Sequence, residues 1–292
     1  MVKIIIVLVS FVFSLLTSWF VHFEKLYVNI LLFIAFFIGY ILVQAILFFL
    51  VAFILSIPIS KKKQAIHYSR FYRFVLYAYT KFCLSLFGVK TKVKGMELLP
   101  QNGNFVLLYN HRSNLDSMII DVFFHKYPLV FVAKQSLFGI PFFGKFIRKI
   151  GYLKLDRGNI RQELLSIYQG IDFLNKNECS VGVAPEGTRN FTKEDLLPFK
   201  VGCLHLATKA KKPIVICILT DTIDIKKHIL TKRHLVTLRI VEVIEYQDFE
   251  KMHTRELAEI IREKMLQAIK EEQQKSCLLY TSDAADDRIS VD

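Results

Sequence analysis

Two short stretches of this chain carry residues whose types and spacing suit acid–base chemistry on a charged substrate. The first is Tyr109-Asn110-His111-Arg112-Ser113-Asn114-Leu115-Asp116. A histidine accepts and returns protons near neutral pH, and a carboxylate on its other ring nitrogen fixes the tautomer and makes it a defined general base. The apolar run before it (Phe105 to Tyr109) reads as a strand, and the run from Leu115 to Phe124 reads as a helix. His111 then stands at the carboxyl end of a strand, where open α/β sheets collect ligands. Asp116, five residues on, falls in the first helical turn, from which its carboxylate can turn back to the imidazole. The same spacing also has a purely structural use: Ser113-x-x-Asp116 is a capping box, and an acid in a first turn is favourable without any catalysis. No Ser or Cys stands beside His111 as a nucleophile, so a base here would act directly on a substrate hydroxyl.

The second stretch is Pro185-Glu186-Gly187-Thr188-Arg189, directly after the apolar run Ser180 to Ala184. A glycine permits close backbone approach, a threonine offers a hydroxyl, and an arginine presents a forked donor matched to a phosphate or carboxylate. Taken with His111 on another strand end, it describes a base beside an anion clamp. His125 and His205 have no comparable acidic partner and read as structural residues.

The elements that must hold these groups are written in the rest of the chain. Apolar β-type runs at 89–94, 104–110, 129–133, 152–155, 180–184, 213–219 and 235–246 alternate with helical patterns. Ile160, Leu164, Ile167, Tyr168, Ile171 and Leu174 recur at helical spacing, with Asn159 as N-cap and Gln162 three residues on. Leu257, Ile260, Ile261, Met265 and Ile269 do the same near the end. Strands alternating with helices predict an α/β fold over residues 89–276, a largely parallel central sheet flanked by helices.

What precedes that domain is different in kind. Residues 4–23 are a 20-residue run without Asp, Glu, Lys or Arg, and 26–60 add 35 more uncharged residues. About 20 apolar residues cross a hydrocarbon core, so residues 1–60 are expected to form a helical membrane hairpin. Lys61, Lys62 and Lys63 follow at once, and positive flanks stay on the cytoplasmic side, which puts both hairpin ends and the α/β domain there. Residues 61–88 interleave basic and aromatic side chains, either a helix lying in the headgroup layer or an amphipathic helix packed on the domain. The last sixteen residues, 277–292, break the composition with four acids and one Arg and read as a non-native or disordered tail.

The whole composition agrees. Lys plus Arg number 39 against 26 Asp plus Glu, for a net charge of +13, and 53% of residues are hydrophobic. That excludes a disordered or collagen-like chain. A basic chain with positive mean hydropathy suits an anionic membrane surface rather than nucleic acid. Five cysteines without a C-x-x-C pair point to a reducing compartment.

Four segments in order carry a resemblance to a known family: NHRSNLD, FVAKQSLFGIPFFGKFIRKIGYLKLDR, APEGTRN and PFKVGCLHLATKAKKPIVICIL. Between about Val89 and Leu219 the chain resembles the glycerolipid acyltransferases, the family that includes 1-acylglycerol-3-phosphate acyltransferases. Ala184 replaces the usual Phe before PEGTR, Asn190 the usual Ser after it, and Ile216 stands where Pro is common. The resemblance implies transfer of a fatty acyl group from a thioester, acyl-CoA or acyl carrier protein, to the 2-hydroxyl of lysophosphatidate in a bilayer. It implies no metal, no cofactor and no covalent acyl-enzyme. His111 would be the base and Asp116 its orienting carboxylate. Lys134, Arg157 and Arg189 would hold the acceptor phosphate, with Glu186 and Gly187 shaping that pocket beside Thr188. Other acceptors, such as glycerol 3-phosphate or another lysolipid, and a non-catalytic lipid-phosphate binder are the alternatives.

Overall fold

The computed structural model describes residues 2–21, 23–60, 65, 67–156, 158–223, 225 and 233–289, the side chains of 2, 3 and 276–289 excepted. The chain divides into two units, residues 1–63 and 64–292. The triple lysine at 61–63 and Arg157 lie outside the described residues.

The first unit is a pair of antiparallel helices, α1 (Val2–Phe20) and α2 (Leu26–Ser56). Its few polar side chains meet one another: Gln44 donates to Ser10 Oγ at 2.7 Å, and the Thr17 and Tyr40 hydroxyls lie 2.7 Å apart. Pairing of this kind joins the few polar side chains of two otherwise apolar helices. Apolar side chains stand exposed along both helices. α2 is long and apolar enough to cross a membrane, whereas the apolar part of α1, Ile4–Phe20, is shorter. The uncharged run continues to Phe23, but the helix does not. Both backbone groups of Phe23 bond the Asn29 side chain, at 2.9 and 2.8 Å, and that turn ends α1.

The second unit begins with α3 (Arg70–Leu86) and then alternates strand and helix: β1 (Val89–Lys94), β2 (Val106–Tyr109), α4 (Asp116–Phe123), β3 (Leu129–Lys134), α5 (Phe143–Ile150), β4 (Leu153–Leu155), α6 (Ile160–Asn175), β5 (Ser180–Val183), α7 (His205–Ala210), β6 (Ile214–Thr220), β7 (His234–Ile244), α8 (Tyr246–Phe249) and α9 (Thr254–Ile289). The seven strands lie in the order β1-β7-β6-β2-β5-β3-β4. Every pairing is parallel except β6 with β7. β2, β5 and β6 are buried along their whole length, which is why they read as unbroken apolar runs rather than alternating ones. The Asn159 side chain caps α6 by accepting from Gln162 N at 3.1 Å, as the sequence predicts.

α3 packs one face on α4 and α5, burying Val75, Leu76, Phe82 and Leu84, while Phe71 and Phe74 stay exposed. A buried ion pair joins it to α4: Arg73 Nη1 lies 2.5 Å from Asp121 Oδ1, and the Tyr152 hydroxyl donates to the same carboxylate oxygen at 3.1 Å. α9 lays Leu257, Ile261, Met265 and Ile269 against β6 and β7, and its backbone runs on to Ile289, into the 277–292 segment.

Candidate active site

The parallel strands bring their carboxyl ends to one edge of the sheet, and the chemistry-bearing residues sit there in strand order. His111 follows β2, Glu186 to Arg189 follow the neighbouring β5, and Lys134 closes β3, the strand after that. Strands lie about 4.8 Å apart, so Arg189 starts one spacing from the His111 strand and Lys134 two, about 10 Å. Lys134 is exposed at that end. Arg157, the third cation expected from the sequence, lies outside the described residues.

His111 is held by its backbone as firmly as by its ring. Just before it, the Asn110 side chain replaces a peptide unit: it donates to Leu219 O at 2.9 Å and accepts from Leu219 N at 2.8 Å, extending the β2–β6 ladder one step past Tyr109. The His111 N–H donates to Glu186 Oε1 at 2.8 Å, and its carbonyl accepts from Asn190 N at 2.7 Å. Its ring nitrogen Nδ1 lies 2.9 Å from Asp116 Oδ2. That same oxygen accepts from Arg112 N and Ser113 N, each at 2.7 Å. Only half of the expected capping box forms: Asp116 takes Ser113 N, but the Ser113 hydroxyl accepts from Leu115 N at 3.3 Å and α4 has no side-chain N-cap. A carboxylate oxygen already taking two backbone N–H groups can only accept from the ring, so Nδ1 carries the proton and Nε2 is left with its lone pair.

Asp116 is wholly buried, and its charge is felt by its neighbours. Burial first, and then Asp116, push the Tyr109 phenol well above its ordinary value, and the Cys217 thiol likewise. Both stay neutral, so neither offers an anionic nucleophile beside His111.

Glu186 is buried with both oxygens engaged by backbone: Oε1 on His111 N and Oε2 on Leu197 N at 3.0 Å. Burial pushes its carboxyl up from the ordinary glutamate value against the pull of those two donors. It ties the His111 loop to the segment around Leu197 and presents neither oxygen outward. Gly187 has φ of +66°, the left-handed region that favours glycine, and a Cβ there would meet Lys200 Cδ at 2.7 Å. Lys200 is itself pinned by its N–H to Pro185 O at 2.8 Å, so its side chain lies across the turn. Arg189 stacks its guanidinium 4.8 Å from the centre of the exposed Phe191 ring. The nearby Asp195 carboxylate takes Gln273 at 2.9 Å, and Arg112 reaches the backbone carbonyls of Thr192 and Glu194 at 3.1 and 2.9 Å. Thr188 is half-buried in the same turn.

His111, Asp116 and the 186–189 turn stand out in the sequence, and the fold gathers them. Asn110, Arg112, Asn190 and Lys200 do not stand out by residue type, although they hold the same site together. All four lie inside the stretches quoted for their resemblance, and that adjacency was the available signal. Among the described residues no group of His, Cys, Asp and Glu is arranged to hold a metal ion.

Comparison with known proteins agrees with this arrangement. The family model described as Acyltransferase matches residues 90–220. A 1-acyl-sn-glycerol-3-phosphate acyltransferase of Escherichia coli is 34% identical over 189 residues, 64% of this chain and 75% of that protein. The Saccharomyces cerevisiae protein of the same name is 33% identical over 189 residues, and the match spans 62% of its length. That of Bacillus subtilis is 32% identical over 195 residues, 67% of this chain and 94% of that protein. The crystal structure of the 1-acyl-sn-glycerophosphate acyltransferase from Thermotoga maritima superposes with a TM-score of 0.56 at 25% identity, covering 69% of this chain and 81% of that one.

Proposed function

The chain belongs to the acyltransferase family, and from that premise we propose that it moves a fatty acyl group from a thioester, acyl-CoA or acyl carrier protein, to the 2-hydroxyl of 1-acylglycerol 3-phosphate, giving phosphatidate. The observation that carries the reading is the 2.9 Å contact of His111 Nδ1 with buried Asp116, which leaves Nε2 as a base of fixed tautomer at the edge of the sheet. Nε2 takes the hydroxyl proton as the oxygen attacks the thioester carbonyl. The imidazolium so formed is stabilised by Asp116. When the tetrahedral intermediate collapses, the C–S bond breaks and the proton passes from Nε2 to the departing thiolate, so the base is regenerated in one cycle. The transfer needs no metal, no cofactor and no acyl-enzyme.

Arg189, Lys134 and Arg157 hold the acceptor phosphate in this proposal. In lysophosphatidate the phosphate is only a few bonds from the 2-hydroxyl, and Arg189 rises from the strand next to His111. Fixing the phosphate there aligns the hydroxyl, a large part of the barrier in a bimolecular transfer. The apolar hairpin supports a membrane-bound enzyme with its α/β domain on the cytoplasmic face, where substrate and product need not leave the bilayer. Extracting either would expose acyl CH₂ groups at about 0.8 kcal/mol each.

The test is product analysis in vesicles with a panel of acceptors: lysophosphatidate, glycerol 3-phosphate, lysophosphatidylcholine and monoacylglycerol. Wild type is expected to form phosphatidate, and His111→Ala to form none while keeping its thermal transition. Turnover by His111→Ala at the wild-type rate removes the mechanism, and binding of lysophosphatidate without turnover on either donor makes the chain a lipid-phosphate binder.

A further inference from the structure

α6 faces outward with the wrong residues for water. Its inner side buries Ser166, Gly170, Phe173 and Leu174. On the opposite arc, at 100° per residue, stand Ile160, Leu164, Leu165 and Tyr168, exposed by 74, 49, 55 and 66%, with Arg161 among them. Beyond Tyr168 the same side turns polar with the Asp172–Lys176 pair at 2.7 Å. Over its first two and a half turns the helix thus shows solvent a contiguous apolar patch, and such a patch marks where a second partner sits.

Two placements identify the partner. α6 starts at the carboxyl edge of the sheet, directly after β4, the edge that carries His111. Beside Tyr168, Gln169 donates to Ala65 O at 2.9 Å, and Ala65 N donates to Arg148 O at 3.3 Å. Ala65, the first described residue of the α/β unit, therefore lies on α6, close in sequence to the apolar helices. An apolar stripe with an arginine in it, at the edge that carries His111, fits lipid with anionic headgroups.

We propose that the Ile160–Tyr168 face of α6 lies in the boundary between headgroups and acyl chains, a second membrane contact that holds the catalytic edge against the leaflet from which the acceptor comes. Arg161 reaches a lipid phosphate while the apolar side chains enter the acyl region. This rests on the membrane-bound reading above.

The test uses the full chain in vesicles of phosphatidylcholine and phosphatidylglycerol. Trp19, the one tryptophan of the sequence, is first replaced by Phe, and Tyr168→Trp then supplies a probe on the stripe. Lipids brominated on their acyl chains should quench that emission at least twofold, with Lys176→Trp as the unquenched reference. The pair Leu164→Glu with Leu165→Glu should raise KM for bilayer-borne lysophosphatidate about tenfold and leave the rate in detergent micelles within twofold of wild type. Vesicle-bound Tyr168→Trp protein whose emission is unquenched overturns the proposal while leaving the anchor intact. Protein that does not bind vesicles at all refutes the membrane reading itself. Detergent-soluble dimers that the double Glu variant dissociates, with the Tyr168→Trp emission unquenched, would assign the stripe to a second copy instead.

Discussion

Replacing Glu186 by Gln keeps the volume of the side chain and removes its ability to accept on both sides. One amide oxygen can serve either His111 N or Leu197 N, and the amide NH₂ then faces the other N–H. A buried donor left without a partner costs about 1–3 kcal/mol. A stability loss of about 1–3 kcal/mol is therefore expected, read as a shift in the denaturation midpoint. His111 loses one of its backbone tethers but keeps Asn190 and the Asn110 ladder, so it should shift rather than detach. A misplacement near 1 Å costs about 10²-fold in rate, or about 2.7 kcal/mol of barrier. Steady-state kinetics should thus show kcat reduced by about 10²-fold with KM for lysophosphatidate within threefold of wild type. An unchanged kcat with KM raised tenfold or more would mean that Glu186 touches the acceptor, and the positioning argument would be wrong. The pH dependence has a sign. The folded carboxyl is raised above its unfolded value near 4.3, so the stability it contributes is full below about pH 4.3 and is lost as pH rises through the folded value. Gln has no such slope, and the gap between wild type and variant should narrow as pH rises.

Three further outcomes follow from the same geometry. Asp116→Asn should keep its amide oxygen on Arg112 N, Ser113 N and Nδ1, and so keep the tautomer, but it removes the charge that stabilises the imidazolium and should lower kcat by about 10–10²-fold in the acyl-transfer assay, with little change in acceptor KM. Gly187→Ala places a Cβ in left-handed backbone and against Lys200, so the melting transition should fall by several degrees, equivalent to about 1–3 kcal/mol. Arg73→Met leaves Asp121 buried and unpaired between α3 and α4 and should cost about 3–5 kcal/mol, whereas Arg73→Met with Asp121→Leu should recover most of it. A double variant no more stable than the single would show that the pair is not the source of the loss.

Much of this architecture was legible along the chain because burial leaves a local signature. β2, β5 and β6 are buried on both faces, and so they appear as apolar runs without alternation. α6 announces itself by its period and its Asn159 cap. His111 and Asp116 could be paired from sequence because five residues of strand end and first turn allow few other outcomes. The partners that hold His111 in place were not legible. Glu186 lies 75 residues from the N–H it accepts, and Asn110 lies 109 residues from the Leu219 groups it bridges. Nothing along the chain says that β5 and β6 flank β2, or that β7 enters antiparallel between β6 and β1. That order is decided by which apolar faces bury one another across the whole unit, a non-local choice. For the same reason the turn at 192–194 is held by Arg112, while Arg189 is left on Phe191 at the open edge. Residue type and period determine which groups can do chemistry and which segments bury themselves. Only the long-range packing of strands decides which buried polar group meets which backbone, because a hydrogen bond depends on a neighbour that the local pattern does not name.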